Sequence, residues 1–124
     1  MDRTAEDLKR RTRKFALTIL EFVDTLPKTS GAETVARQLA RAGTGVVGNY
    51  RSACRGRSHA EFTARMGIVA DESDESELWV DVCNQRQWGD ATVRTWLLKE
   101  SSELRAIFCA AYQTAKSRER RDSR

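Results

Sequence analysis

The chain has 124 residues, a length that suits one domain with a folded surface of about 6,700 Å². One Pro and seven Gly are too few for the many turns of a sandwich or barrel. The 32% charged and 40% hydrophobic residues are those of a soluble globular chain, and no run reaches the ~18 apolar residues of a membrane span.

Helix-start signals divide the chain into four segments. Thr4 with Asp7, Ser30 with Glu33 and Ser58 with Glu61 each have a hydroxyl followed three residues later by a carboxylate, the spacing of a capping box. Asp90 is the fourth expected N-cap. Leu26-Pro27-Lys28-Thr29, Arg55-Gly56-Arg57 and Gln87-Trp88-Gly89 break the segments between these starts. The pattern predicts helices over 5–26, 31–54, 59–87 and 91–117, followed by a basic tail at 118–124.

Each segment carries apolar residues at alternating steps of three and four, which puts them on one helical stripe. The first has Phe15, Ile19, Phe22 and Leu26, and the second has Val35, Leu39, Ala42 and Val46. The third runs through Phe62, Met66, Val69, Ser73, Ser76, Val80 and Cys83. The fourth runs through Val93, Leu97, Glu100, Leu104, Ile107 and Ala111. No segment alternates as a strand does. The expected fold is all-α, an up-down-up-down antiparallel four-helix bundle, because short connections make sequential helices antiparallel neighbours.

Apolar residues also lie off the stripes. Ala16, Leu17, Leu20 and Val23 extend the apolar surface of the first helix, and Ile68, Leu78, Trp79 and Val82 widen that of the third. A lone bundle has no second core for them, so self-association is expected.

Chemistry-bearing motifs are sparse. Cys54, Cys83 and Cys109 are widely spaced, and the one histidine, His59, has no Cys within three residues. Neither a disulfide framework nor a structural zinc site fits that pattern, and the cysteines read as small buried hydrophobes. Gly43-Thr44-Gly45-Val46-Val47-Gly48 spells G-x-G-x-x-G but follows a helix rather than a strand, so no dinucleotide site is expected. These small residues read instead as a place where two helices approach closely. Glu72, Glu75, Glu100 and Glu103 suggest a carboxylate cluster that could hold Mg²⁺ or Mn²⁺. The di-iron pattern would also need Glu-x-x-His pairs that this chain lacks. The favoured reading pairs these acids with Arg37, Arg41, Asn49 or Arg51 of the second helix. One helix-cap histidine makes a poor catalytic triad, so no enzyme activity and no cofactor are expected.

Charge is more informative in its distribution than in its net value of +4. Lys9, Arg10, Arg11, Arg13 and Lys14 crowd the start, and Arg51, Arg55, Arg57 and Arg65 the middle. Lys116, Arg118, Arg120, Arg121 and Arg124 crowd the end, while Asp71, Glu72, Asp74, Glu75 and Glu77 concentrate the acids. Such segregation permits attraction to polyanions. The expected nucleic-acid contacts are Arg10, Arg11, Arg13, Lys14, Arg55, Arg57, Arg120 and Arg121. With no secretory pattern in the opening residues, a cytoplasmic protein that is not a membrane partner is expected.

The stretch Gln38-Leu39-Ala40-Arg41-Ala42, followed by small and aliphatic residues and then Asn49-Tyr50-Arg51, resembles the 23S rRNA intervening-sequence protein family. Ser58-His59-Ala60-Glu61-Phe62, Asp71 through Val80, Leu97 through Leu104 and Thr114-Ala115-Lys116 follow in the family's order. The similarity covers about residues 8–117. Ser52 stands where the pattern N-Y-R-E-A has an acid, and Asp71 where a Lys is frequent. The resemblance implies an up-down bundle that assembles as a ring-like homopentamer without established enzyme activity. It also implies kinship to the accessory proteins of diversity-generating retroelements, whose partners are nucleic acid and a reverse transcriptase. Carried over residue by residue, it places Arg41, Asn49, Arg51, Glu72 and Glu75 in a polar signature cluster. The function these readings favour is a non-catalytic oligomeric bundle that binds RNA or DNA, or a nucleoprotein partner. The rival is an adaptor that recruits a protein and ignores nucleic acid.

Overall fold

A computed structural model describes residues 4–122, with side chains described through Arg121. The described residues form four helices and no strand: α1 (Ala5–Val23), α2 (Ser30–Cys54), α3 (His59–Arg86) and α4 (Ala91–Asp122). No described helix is long and apolar enough to cross a membrane.

The starts follow from side-chain capping, in which a hydroxyl or carboxylate takes an otherwise unpartnered amide. Thr4 Oγ1 accepts from Asp7 N at 3.0 Å, Ser58 Oγ from Glu61 N at 3.0 Å and Asp90 Oδ1 from Val93 N at 3.0 Å. The α2 cap differs from the expectation. Thr29, in extended conformation, accepts from Ala32 N, and Ser30 is already the first helical residue.

Three further boundaries differ. α1 stops at Val23 rather than residue 26, because Pro27 disfavours helical geometry at Leu26 and Thr25 turns its hydroxyl onto Phe22 O at 2.7 Å. α3 ends at Arg86, since Gln87 takes the left-handed conformation with φ 57° and caps the helix. α4 continues through the expected tail as far as Asp122, and residues 123–124 lie outside the described residues. Arg and Glu are good helix formers, and no Gly or Pro interrupts that stretch.

The core contains Phe15, Ile19, Phe22, Leu39, Val46, Met66, Val69, Val80, Leu97 and Leu104, as the stripes predict. The α4 stripe is rotated from its expected line. Phe108 is fully buried and packs at 5.1 Å on the Tyr50 ring, whereas Glu100, Ile107 and Ala111 are only half-buried. Ser73 and Ser76 are buried without loss, because each hydroxyl donates to the carbonyl four residues back. All three cysteines are free thiols, and burial raises that of Cys83 to about 11.

Each helix packs closely against two others: α1 against α2 and α4, and α3 against α2 and α4, so α1 and α3 lie diagonally opposite. Residue numbers fall along one helix as they rise along its neighbour. Gly45 lies beside Glu72 and Gly56 beside Phe62, while Gly67 lies beside Tyr112 and His59 reaches Ala115. Much of the surplus apolar surface is absorbed, for Ala16 is buried and Val23, Trp79 and Val82 pack against the core. Leu17, Leu20, Ile68 and Leu78 remain exposed.

Candidate nucleic-acid interface

At the α2–α3 turn, Arg55 caps α2 and Ser58 caps α3, with Gly56 between them. A Cβ on Gly56 would crowd Ala53 O at 3.1 Å and Phe62 N at 3.2 Å, so the turn closes tightly only with glycine. This closure brings Ser52, Arg55, Arg57, Glu61 and Arg65 around an open cavity of about 280 Å³. The Glu61 carboxylate is occupied by Arg57 N at 3.3 Å. Among the described residues, none of the three guanidinium groups forms a salt bridge. Three cationic side chains and one carboxylate therefore line an open concavity, an arrangement that attracts anions. Arg65 joins Arg55 and Arg57 because it lies two turns into α3. The sequence reading grouped it with the basic cluster but did not count it among the contacts.

Arg120 and Arg121 belong to the same end of the molecule. His59 Nε2 donates to Ala115 O at 3.0 Å, which ties α4 to the start of α3, and α4 then carries Lys116, Arg118, Arg120 and Arg121 onward, all exposed.

The α1 cations lie elsewhere and are mostly engaged. Arg11 binds Glu100 through Nε at 3.1 Å and Nη2 at 2.7 Å, and reaches Glu103 at 3.1 Å. Its hydrogen bond with Glu100 raises the guanidinium pKa further, so Arg11 is a charged tie between α1 and α4. Arg10 pairs with Asp7, and Lys14 sits 5.3 Å from the centre of the Trp96 ring. Arg13 is exposed and has no salt-bridge partner among the described residues. Glu100 and Glu103 thus answer α1, not the α2 residues expected from sequence.

The signature cluster forms in part. Arg41 pairs with Glu75 and, at 3.3 Å, with Glu72, and it donates to Gln38 Oε1 at 3.2 Å. Trp79 Nε1 donates to Glu75 at 3.3 Å. A Cβ on Gly45 would collide with the Glu72 carboxylate, and one on Gly43 with Ile19, so these two glycines do let helices approach closely. Gly48 has open space around it. Asn49 turns back on Gly45 O at 2.9 Å, and Arg51 is exposed outside the network. No group of three or more His, Cys, Asp or Glu residues is placed to hold a metal among the described residues.

Sequence reading missed Arg94, which is buried at 6% exposure. Its guanidinium donates to Trp88 O at 2.8 Å, Gly89 O at 3.0 Å and Asn84 Oδ1 at 3.1 Å, and to Gln87 Oε1 at 3.4 Å. It holds the α3–α4 turn closed. The only local signal is an arginine four residues after Asp90, in the first turns of an amphipathic helix.

The same architecture occurs in a solved structure, a protein of unknown function from the S23 ribosomal protein family of Bacteroides thetaiotaomicron. It shares 20% identity and a TM-score of 0.76 over 88% of this chain and 97% of that one. No curated protein matches. The family model described as 23S rRNA-intervening sequence protein matches residues 6–110, and the chain belongs to that family.

Proposed function

We propose that this chain is a non-catalytic, up-down-up-down bundle that self-associates and binds RNA or another nucleic acid through arginine-rich surfaces. The observation that carries this reading is the cavity at the α2–α3 turn, where Arg55, Arg57 and Arg65 converge with one already engaged carboxylate. Arg120 and Arg121, at the same end, extend the cationic surface. Phosphate contacts from such groups give affinity and position without reading base sequence. Repetition strengthens the effect, because copies of a modest basic patch in one ring bind a polyanion together. The family resemblance suggests five copies, and it suggests a nucleoprotein such as a reverse transcriptase complex as one setting.

Fluorescence anisotropy with structured RNA and duplex DNA across a salt series tests the reading. Micromolar or tighter binding that weakens linearly with the logarithm of salt is expected, with a slope that roughly counts the phosphates engaged. Absence of binding at low salt would leave these arginines as solvated surface and favour an adaptor that recruits a protein.

A further inference from the structure

Two exposed faces of the bundle complement one another and cannot meet within one chain. On α1, Arg13, Lys14, Leu17 and Leu20 form one face, with Leu17 57% exposed. Between α3 and α4 runs an open groove of about 480 Å³ lined by Asp74, Glu77, Leu78, Asp81 and Leu98. Leu78 is 51% exposed there, among the carboxylates of Asp74, Glu77 and Asp81. Glu77 is held by Arg105 at 2.7 Å, but Asp74 and Asp81 have no salt bridge among the described residues, and neither does Arg13. One face is thus a leucine ridge with basic flanks, and the other is a leucine-floored groove with acidic rims.

We propose that a second copy of this chain docks the α1 face of Arg13, Lys14, Leu17 and Leu20 into the groove formed by Asp74, Leu78, Asp81 and Leu98. The inference rests on the self-association part of the proposed function and names the surfaces that make it. α1 and α3 lie diagonally across the bundle, so the ridge and the groove lie on different sides of one molecule. Along α4 the two surfaces overlap at one end: Lys14 lies at Trp96, and the groove runs from Leu98 towards Arg105, which holds Glu77. A neighbouring copy set beside the bundle therefore brings the Arg13–Lys14 end of the ridge to the Asp81–Leu98 end of the groove. The two surfaces differ, so the contact is head-to-tail, a type that closes into a ring when its rotation divides the circle. Arg13 and Lys14 are then committed to the subunit contact, which leaves the α2–α3 cavity and the end of α4 to meet nucleic acid.

Sedimentation velocity on the full chain tests this with two charge reversals, Arg13→Glu with Lys14→Glu, and Asp74→Lys with Asp81→Lys. The native chain sediments as an assembly. Each variant alone, with unchanged helical circular dichroism, falls toward the monomer as its self-dissociation constant rises at least about tenfold. An equal mixture of the two variants leaves the monomer, because the acidic ridge of one now meets the basic groove of the other; strict alternation cannot close a ring of five, so the mixture stops at open or even-numbered assemblies. Leu17→Asp reports on the apolar part and also lowers assembly. Variants that assemble like the native chain, or a mixture that stays monomeric, overturn the proposed contact while leaving self-association through another face intact. A native chain that is itself monomeric overturns both.

Discussion

Arg94 and Arg65 stand near opposite ends of α3, and their surroundings separate two uses of one side chain. Arg94 is buried and donates to two backbone carbonyls, an asparagine and a glutamine at the α3–α4 turn. Arg65 is exposed beside Arg55 and Arg57 at the α2–α3 turn, without a salt bridge among the described residues. Both turns connect successive helices through a glycine, yet one is closed by a guanidinium and the other is surrounded by them. Charge alone does not distinguish these roles. Partner count does, because a guanidinium has five donors, and donors already satisfied within the fold have little to offer a phosphate.

The largest expected effect breaks the closed turn. Arg94→Met leaves Trp88 O, Gly89 O and the Asn84 amide oxygen, all on half-buried residues, without their donor. The cost is about 3 kcal/mol, or roughly 10 °C in Tm for a chain of this size. Thermal unfolding followed by circular dichroism measures it, and RNA affinity well below Tm should stay within about twofold. Retained stability would mean that the turn closes through Gly89 and the Trp88 packing alone.

The open turn predicts the opposite division. Replacing Arg55, Arg57 and Arg65 together with Ala should move Tm by less than about 2 °C, since exposed charges contribute little to folding. Nucleic-acid affinity should fall at least about tenfold near 0.1 M salt, and the salt slope by roughly two to three. Equal losses of stability and binding would erase the distinction between the two ends.

How far these roles are legible in the sequence depends on the range of the interaction that sets them. Caps at Thr4, Ser58 and Asp90 and the stripes of α1, α2 and α3 are local, and period and spacing identify them. Ser30 was read as a cap because it has the right spacing to Glu33, but the neighbouring hydroxyl of Thr29 takes that place. The α4 stripe fails at Phe108 because steps of three and four through Ile107 and Phe108 fit equally well until Tyr50 supplies a ring to pack on. The acids resist most. Local spacing shows that Glu100 needs a cation, but Arg11 lies 89 residues away, and its selection over Arg37 or Arg51 is a property of packing. Arg55 and Arg57 were visible as charges, whereas their convergence with Arg65 required the turn to be folded.

Two glycines of one helix sharpen the contrast between occupied and open space. Gly45→Ala drives a methyl into the Glu72 carboxylate and disturbs its pairing with Arg41. A net loss of about 1 kcal/mol is expected even though alanine favours helix by a similar amount. Gly48→Ala meets nothing within 4 Å. It should gain about 0.5–1 kcal/mol, seen as a rise of a few degrees in Tm. The opposite signs are the readout, and two equal gains would mean that Glu72 swings aside without cost.

The last effect belongs to the closed end, is absent at neutral pH and becomes visible only at alkaline pH. Burial raises the Cys83 thiol from 9.0 to about 11, and the nearby Arg94 charge pulls it part of the way back. The folded chain therefore holds this proton more tightly than the unfolded chain. The stability gained is fully present below about pH 9 and is lost as pH rises towards 11, amounting to at most about 3 kcal/mol. Burial also raises the Tyr50 hydroxyl, so that group adds a loss of the same sign in the same direction of pH. Cys83→Ala separates them. Its Tm lies below that of the native chain at neutral pH, because a buried sulfur is removed, and the gap narrows between pH 9 and 10.5 as the thiol of the unfolded native chain ionises while the folded one keeps its proton. A gap that stays constant would assign the alkaline loss to Tyr50 alone. It would also mean that the Arg94 charge compensates a Cys83 thiolate inside the fold more fully than burial penalises it.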